Sequence, residues 1–211
     1  MESARNNILA KLKAAQEKRG KIGETIPDFT SPVYLPLNPS LSGEFKTNLE
    51  LIGGQVIFCN TKDEIAAHVK RICEEQKQDK IFCVDPTLQK MVEGVVKINS
   101  EEKDFLSLSI GITGCEFLVA HLGSILISSA QIAGRRLNVF PETHIVVAYE
   151  SQIVDYLDNA LEKMQIRYKN KLPSLITNIS GPSRTADIEK TLVMGMHGPK
   201  SLIVIITNKP F

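Results

Sequence analysis

Apolar residues in this chain gather in short runs separated by stretches in which they recur every three or four positions. GQVIFCN (54–60), KIFCVD (80–85), VVKIN (95–99), SLSIGIT (107–113), ILISSA (125–130), THIVVAYE (143–150), SLITNIS (174–180) and KSLIVIIT (200–207) have the length and composition of strands. Helical signals lie between them. Thr61-Lys62-Asp63-Glu64 is a capping box ahead of Ile65, Ala66, Val69 and Ile72 at helical spacing. Asp85-Pro86 supplies an N-cap with proline at the first helical position. Ser151 caps a predicted helix whose inner face is Ile153, Val154, Leu157, Leu161 and Met164, and a further helix is expected within 185–194. Short apolar strands alternating with amphipathic helices predict an α/β domain built on a largely parallel sheet with helices on both faces.

Ahead of that pattern, residues 4–19 form an amphipathic helix with Ile8, Leu9 and Leu12 on one side. Four prolines between Pro27 and Pro39 then exclude helix and predict an extended arm. The expected division is therefore 1–43, a helix and proline-rich arm, and 44–211, the α/β domain. No internal repeat or low-complexity tract interrupts either part.

Composition narrows the function classes. A chain of 211 residues with 43% hydrophobic and 23% charged residues suits a globular domain. A net charge of +1 lacks the basic face of a dedicated nucleic-acid binder, and Arg167-Tyr168-Lys169-Asn170-Lys171 reads as a solvated helix exit. No apolar run is long enough to span a bilayer, and the charged N-terminus has no signal-peptide core, so a cytoplasmic protein is expected. The four cysteines, Cys59, Cys73, Cys83 and Cys115, have neither zinc-finger nor iron–sulfur spacing. No metal site and no cofactor motif is read from them. Cys59 and Cys83 lie in apolar runs as buried thiols, while Cys115 stays open as a reactive candidate.

In open parallel sheets ligands sit outside the carboxyl ends of the strands, which directs attention to the loops there. In Ser180-Gly181-Pro182-Ser183-Arg184-Thr185, Gly181 permits an unusual backbone angle and Ser183 or Thr185 can cap the expected helix. That helix N-terminus and the Arg184 fork would favour a small carboxylate or phosphate, with Asp187 in the first turn. The alternative is a well-capped turn in which Arg184 pairs with an acid such as Asp187. In a second region, Glu116 and His121 form a candidate acid–base couple near Gly123 and Ser124. A packed or surface histidine is the alternative. GITGCEF lacks the spacing of a dinucleotide fingerprint, and a P-loop lysine is absent. Arg135 and Arg136 make a positive rim or a solvated surface, and His197 is a titratable turn residue.

GITGCEFLVAHLGS, GRRLNVFPETHIVV and SGPSRTADIEKTLVMGMHGPKSLIVIIT, in this order and spacing, resemble the LUD-domain family, in its lactate utilization protein C group. The resemblance covers roughly 45–207 and includes Arg184, Thr185 and Asp187 as they stand. It implies a fold like that of the NagB/RpiA/CoA-transferase superfamily. It also implies a role in oxidising L-lactate to pyruvate with two iron–sulfur partner proteins, this chain being the non-redox component. His121-Leu122-Gly123-Ser124 stands where the family commonly has an acid followed by Thr-Gly-Thr, so no acidic site residue carries over there. Two other functions are open: a stand-alone CoA-transferase-like or phosphosugar-isomerase-like enzyme with Glu116 as its carboxylate, and an assembly module docking through the arm.

Overall fold

The computed structural model describes residues 4–18, 34, 36–100, 108–186 and 192–208. Two compact units divide the chain, Met1–Pro36 and Leu37–Phe211. The first contributes helix α1 (Ala4–Lys18), as its apolar spacing predicts. Most of the proline-rich arm lies outside the described residues.

The second unit begins with α2 (Leu41–Leu51), β1 (Gln55–Cys59), α3 (Lys62–Glu75), β2 (Lys80–Phe82), α4 (Pro86–Val92) and β3 (Lys97–Asn99). It continues with β4 (Ile110–Thr113), β5 (Phe117–Val119), β6 (Ser124–Ser128), β7 (Thr143–Tyr149) and β8 (Ile153–Val154). Then come α5 (Leu157–Arg167), β9 (Ile176–Ile179), β10 (Arg184–Ala186), β11 (Leu192–Met194) and β12 (Ser201–Thr207). The N-caps read from sequence are made: Thr61 Oγ1 accepts from the Glu64 N–H at 3.2 Å, and Asp85 Oδ1 from the Thr87 N–H at 2.8 Å. Glu64 reaches back one residue further than a standard capping box, accepting from the Asn60 N–H.

Six strands form one all-parallel sheet in the order β1-β12-β7-β4-β2-β3. The longest apolar runs, β7 and β12, take its middle, where both faces must be covered. One face packs Ile110, Ile112, Ile145, Val147, Ile203 and Ile205 against Ile65, Val69 and Ile72 of α3 and Leu88 and Met91 of α4. The other face, with Val146, Val204 and Ile206, meets Phe45 and Leu49 of α2 together with Leu118, Ile125 and Ile127. Those last three belong to a second sheet of four strands in the order β8-β5-β6-β9, with β5–β6 and β6–β9 antiparallel. Helix α5 closes its outer side through Ala160 and Met164.

Three expectations are corrected here. Ile153 and Val154 are a strand, not the first turn of a helix; the helix starts at Leu157. Pairing of β8 with β5 uses their backbone groups in a sheet, and their apolar side chains pack there as well as they would on a helix. The helix expected within 185–194 is absent from the described residues of that range. Arg184, Thr185 and Ala186 instead pair antiparallel with Met194, Val193 and Leu192. Finally, the 167–171 run is not simply solvated, because Arg167 and Tyr168 turn back onto Glu116.

Candidate functional site

The turn after β9 folds onto the end of α2. Gly181 has φ +77°, and a Cβ there would lie 2.9 Å from the Ile52 carbonyl oxygen, so both its angle and its approach require glycine. Two residues on, the Ser183 N–H donates to the Pro199 carbonyl at 2.8 Å, and the Ser183 carbonyl accepts from the Gly195 N–H at 3.0 Å. Ser183 Oγ accepts from the His197 N–H at 3.4 Å. Arg184 Nη2 donates to the Ile52 carbonyl. Ile52 is the C-cap of α2, where the last carbonyls and the helix dipole favour a cation.

These contacts enclose a cleft of about 490 Å³. Gly181, Ser183, Arg184 and His197, four of the residues singled out in the sequence, all line it. Ile52, Val139, Ile179, Pro182 and Pro199 supply apolar wall, and Asn138 supplies a buried amide. A neighbouring depression of about 520 Å³ shares Val139, His197 and Gly198 and ends at a Glu142–Lys200 ion pair of 2.7 Å.

The position of the cleft differs from the expectation. Its lining residues immediately precede β1, β7 and β12, so it opens at the amino edge of the parallel sheet rather than the carboxyl edge. The cause is topological: β9, which the loop leaves, belongs to the second sheet. Among the described residues no helix N-terminus faces the loop either, because strand β10 follows it. What remains is the guanidinium, a fork of five N–H donors of which the Ile52 carbonyl takes one. Asp187 lies outside the described residues, and of Thr185 only the backbone is described.

Glu116 occupies a different setting. It is 2% exposed, and both carboxylate oxygens are held. Oε1 accepts from Ser128 Oγ and Tyr168 Oη, each at 2.6 Å, and Oε2 from Arg167 Nη1 at 2.5 Å. Arg167 also covers the Phe117 ring, 4.7 Å from its centroid. The cluster ties the end of α5 to the β5–β6 hairpin. Burial, then the bond to Glu116, raises the Tyr168 pKa.

Glu116 precedes the three-residue strand β5 and His121 follows it, at opposite ends of that strand. The His121 ring packs against Tyr156 at 5.3 Å. Gly123 has φ +58°, and a Cβ would fall 2.2 Å from the Leu49 backbone nitrogen; this turn lies directly on α2, where Asn48 Nδ2 donates to the Ala120 carbonyl at 2.9 Å. Ser124 is fully buried with its hydroxyl unpartnered. Arg135 is exposed and donates to Ser174 Oγ at 2.7 Å, outside the cleft.

All four cysteines are buried and free. Burial, reinforced by Glu64 at Cys59, pushes the Cys59 thiol up to about 11 and raises that of Cys115 further still. That environment opposes the thiolate a reactive Cys115 would need. Among the described residues no group of three or more His, Cys, Asp or Glu side chains could hold a metal ion. No helix among them is long and apolar enough to cross a membrane.

Two buried polar residues escaped the sequence reading. Asn138 sits between Leu137 and Val139, a single polar residue in an apolar stretch with no motif to mark it. His144 lies inside the apolar run of β7, wholly buried, its Nε2 2.8 Å from Thr113 Oγ1. Burial pushes its pKa down to about 4, so it is neutral near pH 7.

Comparison with known proteins places these features in a family. The LUD-domain model matches residues 43–207. Lactate utilization protein C of Bacillus velezensis is 37% identical over 102 residues, 47% of this chain and 42% of that one. Its counterpart in Bacillus subtilis is 34% identical over 104 residues, 48% and 43% of the two chains. The chain thus spans less than half the length of the curated relatives that it matches. A DUF162 family protein from Deinococcus radiodurans has a similar fold, with TM-score 0.61 and 18% identity over 82% of this chain and all of that one. With the match running from within α2 to the end of β12, and so through both sheets and the cleft, the chain belongs to the LUD-domain family.

Proposed function

We propose that this chain serves lactate utilization as a non-redox component, acting beside iron–sulfur proteins that carry the electrons. Its amino-edge cleft holds a small carboxylate or phosphate. The names of the relatives motivate the process, and the missing dinucleotide fingerprint and cysteine runs in the sequence motivate the division of labour. The observation that carries the site is the convergence of Ser183, Arg184, His197 and Asn138 on one cleft from segments far apart in the chain. Arg184 supplies charge and direction: charge-assisted bonds from a guanidinium to a carboxylate or phosphate are among the stronger polar contacts.

An acyl-transfer reading would need a carboxylate free to attack, whereas Glu116 is enclosed by three donors. The cleft reading is tested by growth on L-lactate of cells that lack this chain and carry either the wild type or Arg184→Ala. Slower growth with the variant, at equal protein level, is expected. Growth equal to wild type would overturn it.

A further inference from the structure

The six-stranded sheet ends on β1, which pairs with β12 on one side and with no other strand among the described residues. Such an edge presents a row of backbone donors and acceptors, and proteins commonly blunt it with proline, a charged side chain or a bulge. Gln55-Val56-Ile57-Phe58-Cys59 has neither proline nor charge, and its register with β12 runs unbroken from Gln55 to Cys59. Val56 faces α2, and Phe58, two residues on, shares that face and is 47% exposed.

The side of α2 above this edge is charged. Phe45 and Leu49 turn to the core, and Lys46 and Glu50, each one position further on, form a ridge beside them. Lys46 Nζ lies 3.7 Å from Glu50 Oε1 and 5.9 Å from the centroid of the Phe58 ring, so the ion pair stands over the edge strand. One cation and one anion in helical succession complement their own reversed copy.

We propose that a second copy of this chain covers the edge, β1 pairing antiparallel with the partner's β1 about a two-fold axis normal to the sheet. That axis keeps each face of the sheet on its own side and lays α2 beside the partner's α2 in the opposite direction. Reversal sets Lys46 against the partner's Glu50, and Glu50 against the partner's Lys46, as an isologous interface requires. It also withdraws both Phe58 rings from water and joins the two six-stranded sheets into one. This dimer is independent of the anion-site reading. A five-residue edge and one side of a helix make a small interface, so a dissociation constant on the order of 10 μM is expected.

The test is sedimentation equilibrium of the full chain over a concentration series that brackets that value. Wild type should pass from monomer to dimer across the series. Phe58→Lys should weaken the dimer at least about tenfold, by placing a charge on the edge. Lys46→Glu sets like charges against each other across the axis and should weaken it by a similar factor. Combining Lys46→Glu with Glu50→Lys restores opposite charges and should recover the wild-type constant. A wild type that stays monomeric throughout overturns the proposal and leaves the edge to a different chain or to none. A dimer that neither Phe58→Lys nor Lys46→Glu weakens overturns this edge as its interface. Weakening by Lys46→Glu without recovery in the double variant overturns the antiparallel arrangement. The wild-type series decides whether the dimer exists even where a variant fails to fold.

Discussion

The 116–128 hairpin and the 181–199 segment contain the same kinds of residue, a charge, a serine and a positive-φ glycine, and use them in opposite ways. In the hairpin, Glu116 is buried with three donors on its two oxygens, and Gly123 is pressed on the backbone of α2. The interactions close on themselves. In the cleft, Arg184 is exposed, Ser183 pins two loops together, and the buried acceptor of Asn138 has nothing to accept from. A buried charge saturated by its own chain is architecture, because removing water from it is tolerable only when every lone pair is met. A cleft whose exposed guanidinium spends one N–H on the Ile52 carbonyl keeps donors to offer an anion.

That contrast predicts stability losses on one side and binding losses on the other. The largest effect is expected for Gly123→Ala, which strains a left-handed φ and drives a Cβ into backbone; urea unfolding should show a loss of about 4 kcal/mol. A loss under about 1 kcal/mol would mean that the turn is not tightly seated on α2. Glu116→Gln comes next, at about 3 kcal/mol by the same measurement, since it sets an amide against Arg167, Tyr168 and Ser128. Arg167 is 45% exposed and can turn to water, which keeps the figure at the low end for a broken buried pair.

His144 gives the third. Its folded pKa of about 4 lies below the unfolded value near 6.5, so the unfolded state binds the extra proton. Stability is full above pH 6.5 and declines as pH falls toward 4, by roughly 3 kcal/mol at most. His144→Gln should flatten that part of the unfolding profile; an unchanged slope would show that other groups carry it.

Much of the fold was legible in the sequence because its signals are local. Apolar run length marked β7 and β12, and Thr61 and Asp85 announced α3 and α4 through their own side chains. The second sheet was not, since β5 and β8 have three and two residues, too short for an alternation to register. Ile153, Val154 and Leu157 also mimic helical spacing while serving a strand and a later helix. Helix α2 was missed because prolines precede it and Gly43 interrupts its start. The loop at 181–184 and His197, singled out in the sequence, line one cleft, yet its place at the amino edge depends on which sheet β9 joins, a property of long-range pairing. Asn138 was illegible for another reason: its burial is set by tertiary packing that no local pattern announces.

The central claim is that Arg184 belongs to a binding cleft and Glu116 to the architecture. Thermal unfolding of wild type, Arg184→Ala and Glu116→Gln, each with and without millimolar carboxylate, tests it most directly, since a ligand that binds only the native state must raise the melting temperature. The account predicts a ligand-dependent rise for wild type that Arg184→Ala abolishes, at an unliganded cost of about 1 kcal/mol for the lost contact to Ile52. Glu116→Gln should melt well below both and still respond to the ligand. A wild type indifferent to every anion, or an Arg184→Ala variant that loses as much stability as Glu116→Gln, would contradict it.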